Sequence, residues 1–222
     1  MNKTDLIKQE LAKTVGYLNY NGWSNRTAFG YHSYNIEDIN IEGQRNPKIR
    51  LEKYSDYIDF DNKVVVDFGC NVGAMLHHIK NIKIGIGFDF DQKCIDAAKN
   101  IAAILAQKNL DFFTHNFDKD DYSFLKNKIV VNPDVIFLLS LGSWVKSWRD
   151  LYSLCCDYNC TVVLEINNSE EGAAQLKFFE EKGLKPELII DNSLDDFTGN
   201  NRRKTYIIKT KDDKNHSQRR PG

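Results

Sequence analysis

The segment from Lys63 to Gly73, KVVVDFGCNVG, constrains the fold more than any other stretch of the chain. Val64, Val65 and Val66 form a continuous β-branched run, the pattern of a short strand buried on both faces of a parallel sheet. Gly69 and Gly73 then allow a tight turn and close approach of another group to the backbone. Met75, Leu76 and Ile79 follow at helical spacing. Strand, glycine loop and helix in that order predict an α/β fold that binds a nucleotide above the carboxyl end of the strand, on unpaired backbone N–H groups of the loop.

The spacing of the loop narrows the ligand. A dinucleotide fingerprint, G-x-G-x-x-G, needs its second glycine to make room for a pyrophosphate, and Asn71 stands at that place. The stretch DFGCNVG closely resembles motif I of the class I S-adenosylmethionine (SAM) methyltransferases. That resemblance implies a seven-stranded Rossmann-like sheet with helices on both faces, SAM as cofactor and S-adenosylhomocysteine as product. It assigns Asp67, Gly69, Asn71 and Gly73 to the amino-acid end of SAM. Ile84 to Asp91, IGIGFDFD, reads as a second buried strand ending in Asp89, about 20 residues after Gly69, where a carboxylate can accept both ribose hydroxyls. Phe90 beside it joins the cofactor set, and Asp91 reads as the N-cap of the next helix. Phe112 to Asp118 has the look of a third strand and its exit loop. By the same resemblance Asn116 contacts the adenine amino group, with Asp118 as a substitute, and the Phe117 backbone contacts a ring nitrogen. Ser140, at the end of the fourth strand, completes the set.

The other elements fall in order around these points. Val135–Ser140 and Thr161–Ile166 read as the fourth and fifth strands, with a helix from Trp144 to about Asp157 between them. Ser169 caps a helix closed by Gly183, and 186–191 and 204–209 form a final antiparallel hairpin. The chain thus divides into an N-terminal helical and aromatic lid (1–59), a SAM-binding domain (60–210) and a polar tail (211–222) expected to be disordered.

Composition supports one soluble domain. Among 222 residues, 30 basic side chains meet 31 acidic ones, so no basic face for general nucleic-acid binding is expected. No apolar run approaches the roughly 20 residues needed to cross a bilayer, and the first residues lack the apolar core of a signal peptide, so a cytoplasmic location is expected. The five cysteines lack paired C-x-x-C units and read as reduced thiols. His77 and His78, adjacent on a helix, face different ways and make a poor metal pair, so no metal site is expected.

The N-terminal segment should choose the methyl acceptor. Leu6, Ile7, Leu11, Val15 and Leu18 mark an amphipathic helix, and Asn46-Pro47 starts another. Between them, residues 21–34 and 43–45 form an aromatic, polar stretch that lines a pocket or packs the arm on the sheet edge. In related proteins an arginine just ahead of motif I clamps the methionine carboxylate of SAM, which assigns Arg45 that role. Tyr31 and His32 are candidates for the acceptor side, with His32 or Glu165 as general base. Trp144 suits stacking on a nucleotide or sugar. Arg203, within the cluster 202–204, suits a phosphate or a solvated surface. The fourth strand lacks the N/D-P-P-Y/F motif of base-amine methyltransferases. Its continuation from Ser140 to Trp148 is weakly similar to the same segment in methylphosphate capping enzymes. The expected reaction is methyl transfer to O or N of a polar small molecule, a sugar or nucleotide derivative. RNA, including a terminal phosphate, is the alternative acceptor, and a catalytically inactive SAM-binding regulator the alternative role.

Overall fold

Val64–Phe68 (β3) is buried at every position and lies in the middle of the sheet, as the apolar run Val64–Val66 requires. The structure, a computed structural model, describes residues 2–14, 31–167, 169–193, 196 and 203–210. Ahead of β3 come α1 (Lys3–Ala12), a hairpin of β1 (Tyr34–Ile36) and β2 (Ile39–Ile41), and α2 (Pro47–Tyr54). After it follow α3 (Ala74–His78), β4 (Ile84–Asp89), α4 (Gln92–Ile104), β5 (Leu110–Thr114), α5 (Ser123–Lys128) and β6 (Val135–Leu139). The chain continues through α6 (Trp148–Asp157), β7 (Thr161–Asn167), α7 (Glu170–Glu181), β8 (Glu187–Ile190) and β9 (Arg203–Lys209).

The seven-stranded sheet has the order β5-β4-β3-β6-β7-β9-β8. β5, β4, β3, β6 and β7 run parallel, and β9 is antiparallel to both β7 and β8. The order reverses at β3, the switch point beside which open α/β sheets bind ligands. One face buries Val66, Ile136, Leu138, Val162 and Leu164 with Trp148, Leu151 and Phe179 of α6 and α7. The other buries Val65, Phe137, Val163 and Ile207 with Leu51 and Tyr54 of α2 and Leu76 of α3.

Local rules explain the ends of the helices. Asn2, Asn46, Asp91 and Ser169 cap α1, α2, α4 and α7 through their side-chain oxygens, and Pro47 occupies the first turn of α2. Ile7 and Leu11 face the core, and Glu10 accepts from Asn100 (2.9 Å), which joins α1 to α4. Val15, Leu18, residues 21–30, Asn168, Arg202 and the tail 211–222 lie outside the described residues.

The structure adds two elements to those expected and corrects the start of a third. Tyr34, Ile36, Ile39 and Ile41, to which no strand was assigned, alternate with asparagines and pair as a hairpin. α6 begins at Trp148 rather than Trp144, because Trp144 N–H closes a turn on Leu141 O (2.8 Å) and Gln175 of α7 occupies the space beside Gly142. α5 is an additional helix after β5.

His77 and His78 both serve the core. The His77 ring contacts Gln107 Oε1 through Nδ1 (2.7 Å), and Gln107 Nε2 returns a bond to His77 O (2.8 Å). His78 Nε2 accepts from Asn35 N–H (3.1 Å) while Nδ1 lies 2.6 Å from Ala74 O, which assigns a neutral ring protonated at Nδ1. Burial brings both rings down from 6.5 to about 4. A histidine depressed on folding is protonated first in the unfolded chain, so stability falls as pH drops through 6.5 and keeps falling to about 4. Each is expected to contribute up to about 3 kcal/mol to that loss. Urea unfolding of wild type and His78→Gln at pH 7 and pH 5 checks it: the variant should lose less stability on acidification than wild type, and an equal loss in both would refute the neutral assignment.

Candidate functional site

The carboxyl ends of β3 to β7 form the floor of the site. The turn after β3 carries three residues in the left-handed region: Gly69 at φ 79°, Asn71 at 52° and Gly73 at 72°. Asparagine tolerates that conformation better than other side chains, which explains Asn71 between two glycines. A Cβ on Gly73 would stand 2.5 Å from the Phe112 ring and 3.0 Å from His77 Nε2, so glycine is required there on both counts.

The N–H groups of Gly69, Cys70, Asn71 and Gly73 are committed inside the protein, unlike the unpaired groups expected from the sequence. Gly69 and Cys70 donate to Phe88 O (2.8 and 3.0 Å), Gly73 to Cys70 O (2.9 Å) and Asn71 to Asp89 Oδ2 (2.8 Å). A loop that cradles a pyrophosphate presents such donors outward. This one instead stiffens the carboxylate beside it.

Asp89 ends β4 next to the loop. Its Oδ1 accepts from Asp91 N–H (3.0 Å) as Oδ2 does from Asn71, so the carboxylate is oriented before any ligand arrives. Burial raises its pKa, and the backbone donors pull against that rise. Phe90, 64% exposed, presents an open ring immediately after it. Phe117 does the opposite: its ring is buried edge-on to Phe68, leaving only its backbone for a ligand. Asn116 N–H donates to Asp120 Oδ2 (2.7 Å), and its Oδ1 accepts from Asp118 N–H (3.0 Å). Asp118 Oδ1 accepts from Ser147 N–H (2.8 Å), which ties the loop after β6 to the loop after β5.

The loop after β6 is anchored from several sides. Ser140, at φ 56°, donates through its N–H to Glu165 O (2.9 Å) and through its hydroxyl to Glu165 Oε1 (2.6 Å). Asn167 Nδ2 donates to Ser143 Oγ (2.9 Å). Leu141 covers Gly69, its Cδ1 2.7 Å from where a Cβ would stand, and Trp144 at the loop's tip is 59% exposed.

Glu165 is placed where a general base was expected, yet its surroundings forbid that role. Its buried carboxylate accepts from Arg50 Nη2, from Arg45 Nη2 (3.3 Å), from Arg203 Nη1 (3.1 Å) and from Ser140. Burial alone would raise its pKa, but the three guanidiniums outweigh burial and hold the carboxyl well below the ordinary range. It is an ion-pair anchor. Arg45, expected to clamp the methionine carboxylate, is fully buried, and its guanidinium faces Glu165. Arg203, expected at the substrate, belongs to the same cluster. Arg50 was missed by the sequence reading. The signal was a cation on the face of α2 that buries Leu51 and Tyr54, a position a charge holds only with a partner.

His32 lies against this cluster. It is buried, its Nδ1 has no hydrogen-bond partner, and burial followed by the charges of Arg50 and Arg45 puts its pKa well below 6.5. It is therefore a neutral acceptor at ordinary pH and a weaker base than a free histidine. Tyr31 packs edge-on to it at 4.6 Å. Asp67, on the sheet face that also carries Glu165, is raised to about 7, chiefly by burial, with Arg50 opposing the rise and Asp89 adding to it. Among the described residues no helix is long and apolar enough to cross a membrane, and no three His, Cys, Asp or Glu side chains are grouped to hold a metal.

Comparison with solved structures agrees with this architecture. A TehB-like SAM-dependent methyltransferase from Corynebacterium glutamicum is similar over 90% of this chain and 98% of its own, with a TM-score of 0.57 at 14% identity. The fold is that of the SAM-dependent methyltransferases. Precorrin-6y C5,15-methyltransferase from Geobacter metallireducens shares it (TM-score 0.54, 13% identity, 79% of this chain and 91% of that one). So does the N-terminal domain of EvdMO1 with S-adenosylhomocysteine bound (TM-score 0.56, 11% identity, 80% and 89%). In sequence, the chain is 35% identical over 104 residues to the uncharacterized protein MJ0284 of Methanocaldococcus jannaschii, a match covering 40% of this chain and 47% of that protein. It therefore spans about half the length of that relative. No family model matches the chain.

Proposed function

We propose that this chain is an SAM-dependent methyltransferase acting on O or N of a polar small molecule, a sugar or nucleotide derivative. The observation that carries the reading is the glycine loop, with the N–H groups of Gly69, Cys70, Asn71 and Gly73 turned inward beside an oriented Asp89. That arrangement suits a nucleoside with a ribose and no diphosphate, which describes SAM and not NAD. Asp89 accepts the ribose hydroxyls, Phe90 offers a ring face to adenine, and Asp118 and the Phe117 backbone read its edge. Gly69, Asn71 and Gly73 leave room for the methionine part, with Asp67 near its ammonium group. Ser140 marks the methyl end.

The chemistry asks little of the protein. The acceptor lone pair attacks the methyl carbon, the carbon–sulfur bond breaks with its electrons going to sulfur, and the acceptor loses a proton. His32 Nδ1, neutral and without a partner, takes that proton, and Tyr31 positions its ring. Trp144 stacks on the acceptor at the mouth of the site.

Calorimetric titration tests the cofactor. SAM and S-adenosylhomocysteine are expected to bind at least tenfold more tightly than NAD, and the reverse order would refute the proposal. Radiolabelled methyl transfer to fractionated small molecules and to total RNA tests the acceptor. Label confined to RNA would overturn the small-molecule reading. SAM binding with no transfer to either would favour a regulatory module.

A further inference from the structure

Between α2 and the β8–β9 end of the sheet lies a cavity of about 50 Å³, whose polar walls are Arg50, Lys53, Glu165, Asn192, Ser193 and Thr205. Thr205 is fully buried, and its hydroxyl has no hydrogen-bond partner. A buried hydroxyl left unpaired costs about 1–3 kcal/mol, whereas valine would fill the same volume without that cost. Arg203, two residues earlier on β9, also has its Nε buried without a partner. Of these two unmet donors, the Thr205 hydroxyl belongs to a residue that lines the cavity, where a ligand group can enter.

The charges define that group. Among the described residues, Glu165 is the only carboxylate lining the cavity, and its charge is engaged by three guanidiniums and the Ser140 hydroxyl. Lys53 and Arg50 add positive charge, and Thr205 adds a donor. The volume is several times the roughly 10–15 Å³ that a cavity needs to hold one water, and suits a phosphoryl group rather than a sugar or base. Glu165 connects this cavity to the methyl end, since the same carboxylate accepts from Ser140.

We propose that the cavity under α2 is a phosphoryl subsite, and hence that the methyl acceptor is a phosphorylated small molecule. The identity of the acceptor rests on the methyltransferase reading; the binding of phosphate does not. In the subsite the Thr205 hydroxyl and the Lys53 ammonium donate to phosphoryl oxygens, with Arg50 as the charge behind them.

Inorganic phosphate is the probe, titrated into the full chain with S-adenosylhomocysteine present and absent, against sodium chloride at matched ionic strength. Wild-type protein is expected to bind phosphate specifically. Thr205→Val should weaken binding about tenfold while leaving the thermal midpoint unchanged or raised, and Thr205→Ser should restore it. Lys53→Gln should weaken it several-fold, and Lys177→Gln, on the distant surface of α7, should not. Absence of phosphate binding beyond the chloride control overturns the subsite, as does equal affinity in wild type, Thr205→Val and Lys53→Gln. Phosphate binding without SAM binding would keep the subsite and remove the methyltransferase; SAM binding without phosphate binding would do the reverse.

Discussion

Replacing Glu165 by alanine is expected to lower the unfolding free energy by about 3–5 kcal/mol, the largest stability effect of any single side chain in the described structure. The reason lies in what would be left behind. Three guanidiniums from α2, β9 and the segment before α2 converge on one carboxylate with no exposed surface. Without it, like charges would face one another in a buried place, and each donor aimed at Glu165 would lose its acceptor. Glu165→Gln should cost nearly as much, because its amide brings donors toward donors and supplies no charge. The effect should also reach the loop after β6, since Ser140 holds its left-handed backbone through two bonds to Glu165. Urea unfolding of both variants at pH 7 checks the magnitude. A loss below about 1 kcal/mol would mean that the cluster is no more than a surface ion pair in its energetics. Acid should not mimic the mutation between pH 6.5 and 4.5. The Glu165 carboxyl is depressed on folding, so its contribution is complete above its unfolded value of 4.5 and is lost only below it. The loss above 4.5 then belongs to the buried histidines His32, His77 and His78, and Asp67, raised to about 7 on folding, opposes it.

The central sheet was legible because buried parallel strands must be continuous apolar runs, and β3, β4, β6 and β7 are such runs bounded by polar residues. The hairpin of β1 and β2 was not read, although Tyr34, Ile36, Ile39 and Ile41 alternate. Its strands have three residues each, and its turn is Glu37-Asp38, without the Asn or Gly that two-residue turns use; Glu37 takes φ 52° itself. At the site, the glycine loop and Asp89 meet because β3 and β4 are adjacent parallel strands, and Asn71 N–H reaches the Asp89 carboxylate. The Glu165 cluster was not legible. Its partners stand 120, 115 and 38 residues away along the chain, and nothing local to Glu165 shows that three cations will surround it. A carboxylate at a strand end therefore looks like a base until the helix that covers it is placed. Arg50, set between Ile49 and Leu51 on the buried side of α2, was the one local clue to that neighbourhood.

Asp89→Ala is expected to weaken S-adenosylhomocysteine binding about a hundredfold or more, the largest effect on ligand affinity. Two ribose hydroxyls donating to a carboxylate are worth about 1.5–3 kcal/mol each, and every 1.4 kcal/mol is tenfold. The carboxylate does a second task, accepting from Asn71 and Asp91, so its loss also loosens the glycine loop. A 2′-deoxyribose analogue of the product separates the two. If Asp89 grips the ribose, wild type should bind the analogue more weakly than the natural product, and Asp89→Ala should hardly distinguish them. Equal discrimination in both proteins would mean that Asp89 acts through the loop alone. The geometry favours the grip, because each carboxylate oxygen already has one backbone donor and keeps lone pairs for a second. Its orientation is fixed before the ligand arrives, so little ordering entropy is left to oppose binding.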